Sequence, residues 1–152
     1  MAKQCDYDIL KLDHQVCFPL YACSKEIVRQ YSPFLKELDL TYTQYIVMMV
    51  LWEKEETSSR VLAECLHLDY GTLTPVLKRL EQSGYLKRTR SEEDERILTL
   101  TLTQEGEELR KKAVNIPSAI AKIVGLSQEE FTQLYQLAYK ALSNMESYGT
   151  KT

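Results

Sequence analysis

Apolar residues recur at helical spacing from the start of the chain: Leu12, Val16, Leu20, Ile27 and Tyr31. They predict a first helix over roughly Val16 to Tyr31. Ser32-Pro33 then reads as an N-cap followed by proline at the first helical position, which predicts a separate short helix from Phe34 to Leu38. Thr41 is the expected cap of YTQYIVMMVLWEKE. Tyr45, Ile46, Met49, Val50 and Trp52 make that segment apolar nearly all round, the mark of a buried central helix. SSRVLAECLHL follows, with Val61, Leu62, Cys65 and Leu66 on one face. A tight connection at Asp69-Tyr70-Gly71 leads into TLTPVLKRLEQSG, whose apolar stripe is Leu73, Val76, Leu77 and Leu80 and whose stop is Gly84. Pro75 fits the first turn if Gly71 or Thr72 is the cap; with Asp69 as cap a local distortion is required.

The period then changes. YLKRTR and ILTLTLT alternate, and the second is rich in threonine. With the charged SEEDE between them they predict a two-stranded hairpin. Thr103 is the expected cap of a long helix, QEGEELRKKAVNIPSAIAKIVG, which Pro117 should kink or break. Ser127 and Glu130 match a capping box, and the last helix carries Phe131, Leu134, Tyr135, Leu137, Ala138, Ala141, Leu142 and Met145. Two short helices joined by a tight turn and followed at once by a basic hairpin describe a winged helix-turn-helix. The expected fold is therefore mainly α with a small β-hairpin wing.

Composition narrows the picture. The 152 residues suit one domain, and five glycines with four prolines suit long helices. No apolar run approaches the ~18 residues of a membrane span. The polar start, MAKQCDYDILKLD, does not read as a signal peptide. The expected compartment is the cytoplasm, with no membrane partner. Ten tyrosines against three phenylalanines mean that several buried hydroxyls need hydrogen-bond partners. No CxxC pair occurs among Cys5, Cys17, Cys23 and Cys65, and only His14 and His67 offer nitrogen ligands, so no metal or cofactor is expected. Static disulfides are not expected in a reducing compartment.

The net charge of −3 decides nothing about nucleic acid, because local charge matters more. From Lys78 to Arg90 there are five cations (Lys78, Arg79, Lys87, Arg88, Arg90) and one acid, Glu81. Such a cluster can neutralise DNA phosphates. The front of the helix before it carries Tyr70, Thr72 and Thr74, suited to phosphates, base edges and thymine methyls. At the wing tip, Asp94 is placed to brace Arg96 for a narrow minor groove. The bland alternative is a solvated basic helix and hairpin.

LDYGTLTPVLKRLEQSGYLKRTRSEEDERILTLTLTQEG resembles the recognition helix and wing of the MarR family of dimeric winged-helix regulators. Asp94-Glu95-Arg96 followed by Leu102, Thr103 and Gly106 matches the family's D-x-R and LT-x-x-G segments. The resemblance implies double-stranded DNA with a pseudo-palindromic operator as partner. It also implies a homodimer built from residues 1–33 and 104–152 around a DNA-binding lobe at 34–103. Val114, Ile116, Ile120, Ile123, Leu134, Leu137 and Leu142 are the apolar residues expected to need a partner surface.

Cys17 poses a separate question. It reads as a buried small hydrophobe, a metal ligand, a disulfide partner or a reactive thiol. Pro19 argues that the helix begins near Val16, since proline is tolerated mainly in the first turn. There, unpaired backbone N–H groups and the helix dipole favour a thiolate, the form that attacks peroxides. Leu12, Gln15, Cys17, Phe18 and Tyr21 resemble the L-x-x-Q-x-C-F-x-x-Y motif of the organic-hydroperoxide-sensing, OhrR-like repressors. That resemblance implies a redox-sensing role for Cys17, with Tyr31 and Tyr42 hydrogen-bonding its sulfur beside Tyr21 and a partner subunit supplying one of them. It implies the one-cysteine type, because no cysteine follows Cys65. A small cellular thiol is then the mixed-disulfide partner after oxidation. Cys23 lies six residues along the same helix, about 9 Å by helical rise, beyond the ~7 Å Cα span of a disulfide. Cys5 remains open as a resolving thiol, and Cys65 is expected to pack.

The function expected is release of a repressor from its operator when Cys17 is oxidised. The alternative is a regulator released by a phenolic ligand in a pocket lined by Tyr42, Tyr45, Met48, Met49 and Trp52, with Cys17 incidental. An enzyme such as a thiol peroxidase is not expected, since no nucleophile-elbow, zincin or nucleotide-binding motif occurs.

Overall fold

The computed structural model describes residues 7–90 and 98–149. Cys5, Asp94, Glu95 and Arg96, singled out above, lie outside the described residues. The chain divides into two compact units, Met1–Ile116 and Pro117–Thr152.

The first unit opens with two short 3-10 turns, Tyr7–Leu10 and Leu12–His14. Leu12 therefore belongs to a turn and not to the helix that its spacing joins it to. Helix α1 spans Cys17–Glu37 without interruption. The separate helix expected at Phe34 does not form, and Ser32 is no cap. Pro33 removes one helical N–H, that which would meet the carbonyl of Arg29. Both residues are exposed, so water can satisfy that carbonyl. The end of α1 is fixed by burial of Leu35, with Leu38 and Leu40 just beyond.

Thr41 caps α2 (Tyr42–Lys54) in a reciprocal box with Gln44: the Gln44 amide donates to Thr41 Oγ1 at 3.3 Å, and the Thr41 amide donates to Gln44 Oε1 at 2.7 Å. This is the central helix, burying Tyr45, Val47, Met48, Leu51 and Trp52. Met49, expected inside, is exposed. Strand β1 (Glu56–Ser58) follows, and Ser58 caps α3 (Ser59–Leu66). His67 ends α3 in the left-handed conformation, φ 51°. Helix α4 spans Tyr70–Gln82 and packs through Leu73, Leu77 and Leu80.

Strands β2 (Leu86–Arg90) and β3 (Leu98–Leu102) pair antiparallel, with Leu86 opposite Leu102 and Arg88 opposite Leu100. The sheet has three strands, in the order β1-β3-β2. The expectation of a two-stranded hairpin missed β1, whose three residues are too few to show a period of two. Its register sets buried Thr57 against buried Leu100.

Thr103 caps α5 (Gln104–Ala113) and also ties the wing to it: the Thr103 hydroxyl donates to the Gly84 carbonyl at 2.6 Å. Gly106 in the first turn of α5 is required by close approach. A Cβ there would stand 2.3 Å from the Tyr85 carbonyl oxygen. The helix breaks at 114–115, and α6 (Ile116–Val124) begins one residue before Pro117.

In the second unit, Ser127 and Glu130 form the expected capping box at the start of α7 (Gln128–Gly149). Of the residues expected to need a partner surface, Ile116 and Ile120 are buried within the chain. Val114, Ile123, Leu134 and Leu137 are exposed, and so are Phe131, Tyr135, Tyr139 and Met145. No helix among the described residues is long and apolar enough to cross a membrane.

Candidate functional site

Two sets of residues emerge, one on α4 and β2 and the other at the start of α1. The first begins with a cap. Asp69 caps α4: its Oδ1 accepts the Thr72 amide at 2.8 Å and its Oδ2 accepts the Thr72 hydroxyl at 2.8 Å. These two hydrogen bonds, the amide's first, hold the Asp69 carboxyl below the usual carboxylate range. Gly71 leaves room for it, since a Cβ there would come 2.9 Å from Asp69 Oδ1. The cap is thus earlier than Gly71 or Thr72, and Pro75 falls in the second turn. The N–H it lacks is the one that would meet the Gly71 carbonyl. Thr74 Oγ1 donates to the Tyr70 carbonyl at 2.7 Å. Tyr70, Thr72, Thr74, Lys78 and Arg79 are all exposed.

Arg88 has a different environment from its neighbours. Its Nε donates to Glu81 Oε2 at 2.8 Å, its Nη2 to the same oxygen at 2.5 Å, and its backbone amide to Glu81 Oε1 at 3.2 Å. Both side chains are partly buried. The guanidinium holds the Glu81 carboxyl below its ordinary range. The pair pins β2 to the end of α4. This geometry sets Arg88 apart from the more exposed cations grouped with it, because Glu81 matches its charge. The one acid in a basic stretch was the available signal. Lys87 and Arg90 are exposed on β2.

At the second place, Cys17 is the first residue of α1 and is exposed. Val16, Phe18, Leu20 and Tyr21 around it are exposed too, Val16 at 76%. The Phe18 amide donates back to the Gln15 carbonyl at 3.3 Å, and Pro19 has none. Fewer first-turn amides therefore face the sulfur than the sequence suggested. Tyr31 lies fourteen residues further along the same helix, about 21 Å by helical rise. No side-chain rotation closes that gap. Tyr42 stands beside Tyr31, ring centroids 5.1 Å apart and edge-on, and Tyr45 is 5.7 Å from Tyr31. Within one chain, Cys17 meets neither Tyr31 nor Tyr42.

The tyrosine cluster runs inward. Tyr45 packs against Trp52 at 6.0 Å, and Trp52 Nε1 donates to the Gly106 carbonyl at 2.8 Å. Burial raises the phenols of Tyr31 and Tyr42 above their ordinary range, and that of Tyr45 to about 12. All three keep their protons at neutral pH and can donate. Cys65, expected to pack, is exposed on α3. Tyr45, Met48 and Trp52 belong to the core, while Tyr42 is half-buried and Met49 is exposed. A cavity of about 610 Å³ lies between α1 and α2 with Tyr42, Lys36, Asp39 and Arg79 on its walls. Among the described residues no group of histidine, cysteine and carboxylate side chains suits a metal ion.

Comparison with known proteins places the chain. A family model described as the transcriptional regulator SarA/Rot matches residues 29–113. The organic hydroperoxide resistance transcriptional regulator of Bacillus subtilis is 45% identical over 91% of this chain and 95% of its own length. The regulator SarZ of Staphylococcus epidermidis is 42% identical over 82% of this chain and 84% of its own. AbfR of the same organism, solved reduced and bound to DNA, superposes with a TM-score of 0.76 at 33% identity, covering 91% and 96% of the two chains. It has also been solved overoxidized on DNA and in a disulfide-formed state. This chain belongs to the SarA/Rot family of transcriptional regulators, winged-helix proteins of MarR type, and within them to the OhrR-like group.

Proposed function

We propose that this protein is a cytoplasmic, homodimeric repressor whose hold on its operator is governed by the oxidation state of Cys17. Residues 34–103 form the DNA-binding lobe, and 1–33 with 104–152 form the dimerisation helices. Helix α4 enters the major groove. Lys78, Arg79, Lys87 and Arg90 neutralise phosphates, and Arg96 at the wing, braced by Asp94, enters the minor groove. Arg88 acts indirectly, by fixing the wing against α4.

The observation that carries the sensor reading is the placement of Cys17 and its tyrosines. An exposed cysteine on an apolar helix start is separated by about 21 Å from the phenols assigned to it. A two-fold pairing of subunits resolves both facts. It covers Val16, Phe18 and Leu20, and it brings Tyr31 and Tyr42 of a second copy to the sulfur. Both phenols then come from the opposite subunit, rather than one. As donors they stabilise the thiolate, with Tyr21 one helical turn from Cys17 on the same chain.

The chemistry balances in two steps. The Cys17 thiolate attacks the distal oxygen of an organic hydroperoxide, giving a sulfenic acid and an alkoxide that is protonated to the alcohol. A small cellular thiol then attacks the sulfenic sulfur, giving a mixed disulfide and water. The adduct wedges between the subunits. Tyr31, Tyr45 and Trp52 link that place to Gly106 and so to the junction of wing and α5. AbfR has been solved overoxidized and bound to DNA, which favours the bulky adduct over added oxygen as the releasing form here.

A mobility-shift assay tests this on a duplex from upstream of the protein's own gene. Cumene hydroperoxide with free cysteine releases wild type and leaves Cys17→Ser bound. Equal release of both proteins would remove Cys17 from the mechanism.

A further inference from the structure

Opposite the buried Leu73, Leu77 and Leu80, the outward line of α4 runs Gly71, Pro75, Lys78 and Gln82, at intervals of four, three and four residues. Gly71 and Pro75 have no polar side-chain atom. Thr72 and Thr74 flank them on the two shoulders. A threonine hydroxyl has one proton to donate. That of Thr72 goes to Asp69 Oδ2 at 2.8 Å, an ionised carboxylate that can only accept. That of Thr74 goes to the Tyr70 carbonyl at 2.7 Å, which also can only accept. Each threonine thus has a methyl group and acceptor lone pairs left. Asp69, exposed at the head of the helix, adds only acceptors, and Tyr70, whose phenol can donate, shares the face of Leu73 and Leu77 by helical spacing and stands off the outward line. Lys78, in the third turn, is the first donor on the outward line.

Guanine presents two acceptors to the major groove and no donor. Thymine presents a methyl, and adenine and cytosine each an amino donor. We propose that the first two turns of α4 select their bases through methyl and acceptor contacts from Thr72 and Thr74, and exclude guanine from the strand they face. Gly71 is part of the device, since a side chain there would press on Asp69 Oδ1 and free the Thr72 proton. The inference rests on the reading of α4 as the recognition helix.

The test is selection from random duplexes by the full-length protein, followed by dT→dU replacement in the selected half-sites, which removes one methyl. Selected half-sites should lack guanine where the first two turns lie. The dU change should weaken wild type about four-fold per half-site, the effect of losing one buried methyl. Thr74→Val keeps the methyl and should respond like wild type. A dual Thr72→Ser, Thr74→Ser variant, checked for an unchanged melting temperature, should no longer distinguish dT from dU. Guanine enriched at those positions, or a dU penalty identical in the serine variant, would overturn the proposal. Failure of wild type to enrich any sequence would overturn the recognition-helix reading beneath it.

Discussion

Gly106→Ala separates two opposed expectations. Helix propensity alone favours alanine over glycine by about 1 kcal/mol in a helix, so the variant would gain stability. The structure predicts the reverse. The new Cβ would stand 2.3 Å from the Tyr85 carbonyl oxygen and 2.7 Å from Leu102 Cδ1, where ordinary contact begins at 3.4 Å. The Tyr85 carbonyl must retreat by 3.4 − 2.3 = 1.1 Å. That oxygen accepts the Thr103 amide at 3.2 Å, so the retreat also loosens the junction of α4, β2 and α5. Overpacking costs about 1–3 kcal/mol, and the weakened hydrogen bond about 1 kcal/mol. After the propensity gain, the net loss is about 1–3 kcal/mol. For a chain of this size that lowers Tm by roughly 2–12 °C. Circular dichroism melts at one fixed protein concentration, since dimerisation makes Tm depend on it, measure the change. An unchanged or raised Tm would refute the close-approach argument.

Asp69 makes the stability of α4 depend on pH. Its folded carboxyl titrates below the unfolded value, so its contribution is complete above that value and lost as pH falls through the depressed one. Tm of wild type should fall more steeply below about pH 4 than that of Asp69→Asn, and parallel curves would contradict the cap's charge. Lys78→Ala should reduce the slope of log K against log salt by about 0.9 per half-site. Arg88→Gln should leave that slope unchanged while weakening binding, because its charge faces Glu81; a matching fall in slope would return Arg88 to the phosphates.

Much of the fold was legible because its signals are local. Thr41, Thr103 and Ser127 cap where their spacing says, and the stripe Leu73, Leu77, Leu80 packs as its period requires. What escaped depends on the rest of the molecule. Pro33 reads as a helix start, yet α1 continues through it because its C-terminal end is held by Leu35 and the carbonyl left open is exposed to water. Three residues of β1 carry no pattern, and only β3 makes them a strand. At the site, Cys17, Tyr31 and Tyr42 were visible as residue types from family likeness. Their separation was legible too, because the spacing already predicts one helix over Val16 to Tyr31, and α1 runs unbroken between residues 17 and 31. Arg88 looked like its basic neighbours, and only the fold brings Glu81 to it.

A mixed dimer tests whether the thiol of one subunit is served by the phenols of the other. One subunit carries Cys17→Ser with its tyrosines intact; the other keeps Cys17 but carries Tyr31→Phe and Tyr42→Phe. Intact mass spectrometry then follows the rate of mixed-disulfide formation at the single Cys17 under cumene hydroperoxide and free cysteine. The wild-type rate is expected, because that cysteine faces unaltered phenols across the interface. A rate as slow as that of the Tyr31→Phe, Tyr42→Phe homodimer would contradict it.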